Sequence, residues 1–372
     1  MTIIISIGKI FLSMLYGILK CFPVKPNKVL FLSRQADELS LDFVMLKEQL
    51  EKDFPQIEIT AICNRLDDGK SGLFGFAMDT LRSMYHLATS KVCVLDAYWP
   101  AVSVLHHKKQ LTVIQMWHAL GKIKKSGYQT LGKASGRGEQ MARLLHMHEN
   151  YDKIIAGGEA WNPYYCQSFN TTEDKLVNIG LPRIDHLITS EKKNRESVLA
   201  VYPEFADKKI ILYVPTFRRN IQLRWEPLLE EVDFERYILI IKGHPNQAIE
   251  CNRQGVYLCP EFKAVDLLAV CDYVITDYSA IAVEAAVLNK PTYYYLYDYE
   301  EYTEKNGINV NPFISMPGCS FKDPEELMRD LMSGSYHQSA LDAYRKKYLP
   351  KNLGTSTKQL SRLILDHLSE KE

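Results

Sequence analysis

Short apolar runs of strand length recur along this chain, each set off by a stretch long enough for a helix. In the first half they fall at residues 28–33, 57–63, 91–96, 111–116, 153–156 and 175–179, and in the second at 209–214, 237–241, 256–258, 273–276 and 292–296. Helical-length segments such as 41–52 and 74–89 separate them. Strands alternating with helices predict parallel sheets covered by helices on both faces. At 372 residues the chain exceeds one ordinary domain, so the pattern reads as two Rossmann-like halves, 23–190 and 191–350. The divide is placed in the polar run 186–208, which contains Ser190-Glu-Lys-Lys-Asn-Arg-Glu196 and suits a linker or an exposed helix. A closing helix is expected within 351–372, with Leu360, Ile364 and Leu368 on one face.

Charge removes whole classes of partner. Lysine plus arginine and aspartate plus glutamate both number 45, so no global field draws the chain to nucleic acid, and polyanion recognition must be local. The eight cysteines are scattered without a Cys-x-x-Cys pair, as buried thiols of a reducing compartment would be. His106-His107 and His146-Met-His148 lack a cysteine or carboxylate at ligand spacing, so no metal site is assigned.

Residues 1–22 are strongly apolar, with Thr2, Ser6, Lys9, Ser13, Gly17 and Lys20 recurring at helical intervals. The longest uncharged run, 10–19, is too short to span a bilayer, and no small-residue cleavage site follows. The reading is an amphipathic helix in the membrane interface, its two lysines toward lipid phosphates. A core or interdomain docking helix and an uncleaved signal-anchor are the alternatives.

Chemistry concentrates at strand ends. In Asp272-Tyr-Val-Ile-Thr-Asp-Tyr-Ser-Ala-Ile-Ala-Val-Glu-Ala-Ala-Val-Leu288 a short strand runs through Asp277 and Ser279 into a helix. Backbone N–H groups at such a helix start favour phosphate. His118, after run 111–116, and His244, after run 237–241, also sit at carboxyl ends of strands, where open α/β sheets bind ligands. There is no Gly-x-Gly-x-x-Gly, no Gly-x-x-x-x-Gly-Lys-Ser/Thr and no Gly-x-Ser-x-Gly, which removes the usual dinucleotide, P-loop and hydrolase signatures.

Gln115-Met-Trp-His118, Gly180-Leu-Pro-Arg-Ile-Asp185, Leu212-Tyr-Val-Pro-Thr-Phe-Arg218, Lys242-Gly-His-Pro245 and Ile275-Thr-Asp-Tyr-Ser279, followed by Lys290-Pro-Thr-Tyr-Tyr-Tyr-Leu-Tyr-Asp-Tyr-Glu-Glu-Tyr302, occur in order. Together they resemble the CDP-glycerol glycerophosphotransferase family of teichoic acid synthesis. That resemblance implies a GT-B-like bacterial enzyme, with an acceptor domain and a CDP-polyol-binding domain facing a central cleft. It also implies peripheral attachment to the cytoplasmic face of the membrane. A polyol phosphate, glycerol ahead of ribitol, would pass from CDP-glycerol or CDP-ribitol to a lipid-linked glycan or polymer, releasing CMP. The family's motif histidines fall on His118 and His244, and its Pro-Thr-x-Arg arginine on Arg218. Its second serine is Ala280 here, its aspartate after the serines is Glu284, and its His-Gly-Thr-Pro pattern reads His118-Ala-Leu-Gly121.

Phosphoryl transfer needs a group to take the acceptor proton and donors for the phosphoryl oxygens. His118 is the candidate base, and His244, held extended by Pro245, a donor to the diphosphate. Arg218 offers a planar fork for phosphate. Ser279 and the N–H groups of Ala280 and Ile281 would form the cradle, with Thr276 as a brace, Asp277 orienting His244 or the acceptor hydroxyl, and Glu284 accepting from the ribose. Lys122, Lys124 and Lys125 make a basic loop suited to an acceptor diphosphate or anionic polymer. The plain readings are a packed histidine, a solvated arginine, an ordinary helix cap and a solvated charge run. No cofactor is required, and magnesium would enter only through substrate phosphates. A nucleotide-sugar glycosyltransferase and a non-catalytic CDP-polyol-binding scaffold on the membrane are the competing functions, and self-association is left open.

Overall fold

The computed structural model describes residues 2–65, 70–133, 136–218, 221–243, 247 and 249–369. Two six-stranded sheets dominate it. The first holds β1 (Lys25–Ser33), β2 (Glu58–Cys63), β3 (Ser90–Leu95), β4 (Thr112–Gln115), β5 (Lys153–Ala156) and β6 (Leu176–Asn178) in the order β2-β1-β3-β4-β5-β6. The second holds β7 (Lys209–Tyr213), β8 (Tyr237–Ile241), β9 (Val256–Tyr257), β10 (Tyr273–Thr276), β11 (Thr292–Tyr295) and β12 (Ser320–Phe321) in the order β12-β11-β10-β7-β8-β9. Every pairing between these strands is parallel.

Central strands such as β1 and β8 are apolar without alternation because both of their faces are covered: Val29, Leu30, Phe31 and Leu32 are all buried, as are all five residues of Tyr237–Ile241. The second sheet, counted from its own first strand, has the Rossmann order. The first differs. Its second strand lies outside its first and its third inside, the flavodoxin-like arrangement carried on by two further strands. The alternation of runs specifies parallel βαβ units, but each crossover helix can return its strand to either side of the sheet, so strand order was not legible.

The chain divides into two compact units, Met1–Ala119 with Ser126–Arg183 and Thr355–Glu372, and Leu120–Lys125 with Ile184–Gly354. The polar run expected to hold the boundary is largely a continuous helix, Arg183–Val201, and the divide falls at its first turn. The closing helix Ser356–Ser369 packs back on the first unit, burying Leu360 and Ile364. Ser361 Oγ there donates to Asp53 Oδ2 at 2.7 Å.

Helix α1 (Thr2–Leu19) reverses the orientation expected for its lysines. Lys9 Nζ donates to Leu144 O at 2.8 Å and Lys20 Nζ to His106 O at 3.1 Å. Tyr16, only 1% exposed, meets His107 Nδ1 through its hydroxyl at 2.8 Å. Leu144 ends the short helix Glu139–Leu144, and the ammonium caps its final carbonyl. Both lysines therefore face the protein. Ile7, Ile10, Phe11, Met14 and Ile18 are left outward, each 60 to 66% exposed. Among the described residues no helix is long and apolar enough to cross a membrane.

Candidate active site

His118 follows β4 after an abrupt turn. Trp117 takes a left-handed φ of 65°, and its N–H donates to Gln115 Oε1 at 2.8 Å. The indole stacks on the His118 ring, with centroids 4.1 Å apart and planes 33° apart. His118 Nδ1 lies 3.0 Å from Asp96 O. A carbonyl only accepts, so Nδ1 carries the hydrogen and the neutral ring keeps its lone pair on Nε2. The residue that supplies this carbonyl is itself tied down: Ser33 Oγ donates to Asp96 Oδ2 at 2.6 Å, and Arg34 N to Oδ1 at 3.3 Å. Burial pushes the Asp96 carboxyl up to about 6.

The second unit gathers its groups where β7 and β10 end side by side. Thr276 Oγ1 donates to Val214 O at 2.8 Å, bracing the two strand ends. Asp277 accepts from Thr216 N at 3.0 Å through both oxygens, from Tyr278 N at 2.6 Å and from Arg218 Nη1 at 2.6 Å. Arg218 also grips Asp298 in a fork, Nε to Oδ2 at 2.9 Å and Nη2 to Oδ1 at 3.2 Å. Tyr278 donates its hydroxyl to Asp298 Oδ1 at 3.1 Å and stacks on Tyr302 at 3.9 Å. Burial works against the guanidinium's charge, but Asp277 and Asp298 outweigh it and leave its pKa above the ordinary value. Arg218 is thus buried between two carboxylates, a placement that suits holding the strand ends more than gripping phosphate. Asp298, which completes the cluster, was missed as a functional position. Its signal was an acidic residue just past strand run 292–296, amid tyrosines.

The turn after β10 is less constrained. Ser279 and Ala280 are half-buried, and Ile281 N donates to Ser279 Oγ at 3.4 Å. Thr216 Oγ1 is buried with no hydrogen-bond partner among the described residues. Glu284 sits within the helix Ile281–Val287 and is 5% exposed. Lys242 Nζ donates to Leu258 O and Cys259 O at 3.1 and 2.9 Å, fixing the start of its loop. His244 lies outside the described residues.

The basic loop separates into different environments. Lys122 is 2% exposed, and burial pushes its ammonium well below its usual pKa. Lys124 is exposed and bridges Ile308 through its backbone. Lys125 N donates to Gly307 O at 3.1 Å, while Asn309 Nδ2 donates to Lys122 O at 2.8 Å. The loop is a stitched backbone segment of the second unit, and Lys122 is not on its surface.

Two parallel α/β units, each gathering polar side chains at the carboxyl ends of its central strands, define a doubly wound protein of the kind that binds ligands at sheet switch points. Residues 14–366 match the family described as CDP-glycerol:poly(glycerophosphate) glycerophosphotransferase. The chain belongs to that family, whose members are transferases. It is similar to the teichoic acid ribitol-phosphate primase of Bacillus spizizenii, 30% identical over 365 residues that cover 93% of each chain. It is also similar to the teichoic acid glycerol-phosphate primase of Bacillus subtilis, 31% identical over 301 residues, 78% of this chain and 77% of that one. A solved structure of the wall teichoic acid polymerase TagF has a similar fold, with a TM-score of 0.75 at 17% identity over 99% of this chain and 98% of that one.

Proposed function

We propose that this enzyme transfers a polyol phosphate from a CDP-polyol to a hydroxyl of a lipid-linked glycan or teichoic acid polymer, releasing CMP. His118 Nε2 takes the acceptor proton, the freed oxygen attacks the β-phosphorus, and the bond to the CMP oxygen breaks. The observation that carries this reading is the Nδ1 bond of His118 to Asp96 O at 3.0 Å, which sets the tautomer a general base needs at the carboxyl end of β4. In the second unit, Ser279 Oγ, which the Ile281 N–H steadies, and the Ala280 N–H hold the donor phosphates, with His244 as a further donor. The orphaned hydroxyl of Thr216 at the same switch point supports a polar ligand there. Arg218, Asp277 and Thr276 position this turn, and Lys124 adds positive charge.

Relatives named for ribitol phosphate and for glycerol phosphate stand at 30 and 31% identity, so the deciding assay offers both donors. Purified protein is given CDP-glycerol or CDP-ribitol with a lipid-linked disaccharide, and both CMP and the product linkage are measured. CMP release with a phosphodiester product is expected. A glycosidic product, or donor binding without CMP release, overturns the reading.

The enzyme works at the cytoplasmic face of the membrane, with the outward stripe of α1 seated among lipid chains. Five apolar side chains held 60 to 66% exposed on one helix support this.

A further inference from the structure

In the first sheet β1 and β3 are neighbours, and the chain runs outward from one and inward from the other. Their carboxyl ends therefore flank that sheet's switch point, the place where open α/β sheets take ligands. Two arginines meet there. Arg34, directly after β1, donates through Nη1 to Tyr98 O at 2.9 Å. Arg137 lays its guanidinium over the ring of the same Tyr98, with Cζ 4.7 Å from the centroid. The tyrosine is fixed from behind, its hydroxyl donating to Leu145 O at 2.8 Å. Burial chiefly, with the Arg137 charge adding to it, pulls the Arg34 pKa down to about 10. The Asp96 carboxylate accepts from the Arg34 backbone N–H at 3.3 Å and favours the Arg34 charge only weakly against burial.

The loop after β3, which both arginines touch at Tyr98, also holds the base. Asp96, whose carbonyl accepts from His118 Nδ1, is two residues from Tyr98, a separation of at most about 7 Å along the chain. We propose that Arg34 and Arg137 form an oxyanion site for a phosphate group of the acceptor, the diphosphate or phosphodiester nearest the hydroxyl that His118 deprotonates. Planar guanidiniums fit phosphate oxygens in pairs, and an anion between like charges relieves their repulsion. Of the basic loop that the sequence suggested for this task, Lys122 is buried and Lys125 packs its stem against Gly307. The inference rests on the reading of the first unit as the acceptor side.

The test is binding, independent of turnover. Full-length protein, its donor site filled with saturating CMP, is titrated calorimetrically with glycerophosphoglycerol and separately with inorganic pyrophosphate. At least one is expected to bind, and Arg137→Gln to weaken it by about 10-fold or more, as loss of a charged hydrogen bond does. Arg34→Lys should give a smaller loss. Thermal unfolding of both variants checks folding. If only glycerophosphoglycerol is affected the site reads polymer phosphate, and if only pyrophosphate is affected it reads the lipid diphosphate. In the CMP-release assay the acceptor KM should rise while the CDP-polyol KM stays within about threefold. Absence of binding to wild type, or equal affinity in wild type and Arg137→Gln, overturns the site while leaving CMP release intact. Loss of CMP release in wild type with the binding pattern preserved would instead remove the reaction and keep the site.

Discussion

Arg218 and Asp277 form an ion pair, Nη1 to Oδ2 at 2.6 Å, between side chains that are 0% and 1% exposed. The guanidinium is simultaneously forked onto Asp298, so one residue after β7 ties together the turns that follow β10 and β11. Removing one member leaves buried charge uncompensated. Arg218→Ala is expected to destabilise the protein by about 3–5 kcal/mol, read from the urea midpoint. Arg218→Lys should recover only part, because an ammonium cannot fork onto one carboxylate while reaching the other. Wild-type stability in Arg218→Ala would remove the scaffold role.

His118→Ala is expected to lower kcat by about 10²- to 10⁴-fold, the usual contribution of a general base, with the CDP-polyol KM little changed. Nitrogen NMR of wild-type enzyme should show the neutral ring protonated at Nδ1. Protonation at Nε2 instead would mean that the base assignment is wrong.

Asp96 supplies a pH signature. Its folded pKa of about 6 lies above its ordinary 3.8 because burial disfavours the charged form. The folded state therefore holds this proton more tightly than the unfolded chain. Stability from this group is complete below about 4 and is lost as pH rises through 6. Asp96→Asn cannot titrate, so the stability difference between wild type and variant should shift against wild type across pH 4 to 6. A constant difference across that window would contradict it.

The outward stripe of α1 predicts how membrane binding responds to mutation and salt. With Lys9 and Lys20 engaged by protein carbonyls, attachment should depend on apolar burial, worth about 1.5 to 3 kcal/mol per large side chain. Ile10→Asp with Phe11→Asp should abolish co-sedimentation with vesicles without lowering the melting temperature, and wild type should stay bound at high salt. Release of wild type by salt alone would point to charge instead.

Gly307 has a φ of 78°, and a Cβ there would come 2.8 Å from Lys125 Cδ. Gly307→Ala should cost about 1–3 kcal/mol of local strain and loosen the segment after His118. Hydrogen exchange at the Lys125 amide, bonded to Gly307 O, should quicken. Unchanged exchange there would show that the contact does not hold the segment.

Much of the fold was open to reading because parallel strands buried on both faces must be apolar runs: 153–156, 237–241 and 273–276 coincide with β5, β8 and β10. β12 was missed because Ser320–Phe321 is two residues long and carries no run at all. At the site, a histidine after β4 and the Asp277 turn after β10 were visible as polar residues closing apolar runs. Asp298, Tyr98 and the Arg34–Arg137 pairing were not, since each gains its meaning from a partner distant in sequence.

By itself the sequence determined the repeating βα rhythm, the strand ends that carry His118 and Asp277, and the family, because these depend on local pattern and ordered motifs. Tertiary structure decided which charged side chains are buried and which protein groups they meet. Burial and long-range partners turned Arg218 and Lys122 inward, set Lys9 and Lys20 against protein carbonyls, and set Arg34 on the backbone and Arg137 on the ring of one tyrosine. A charged side chain is placed by the dielectric and the partners around it, and those come from residues tens to hundreds of positions away.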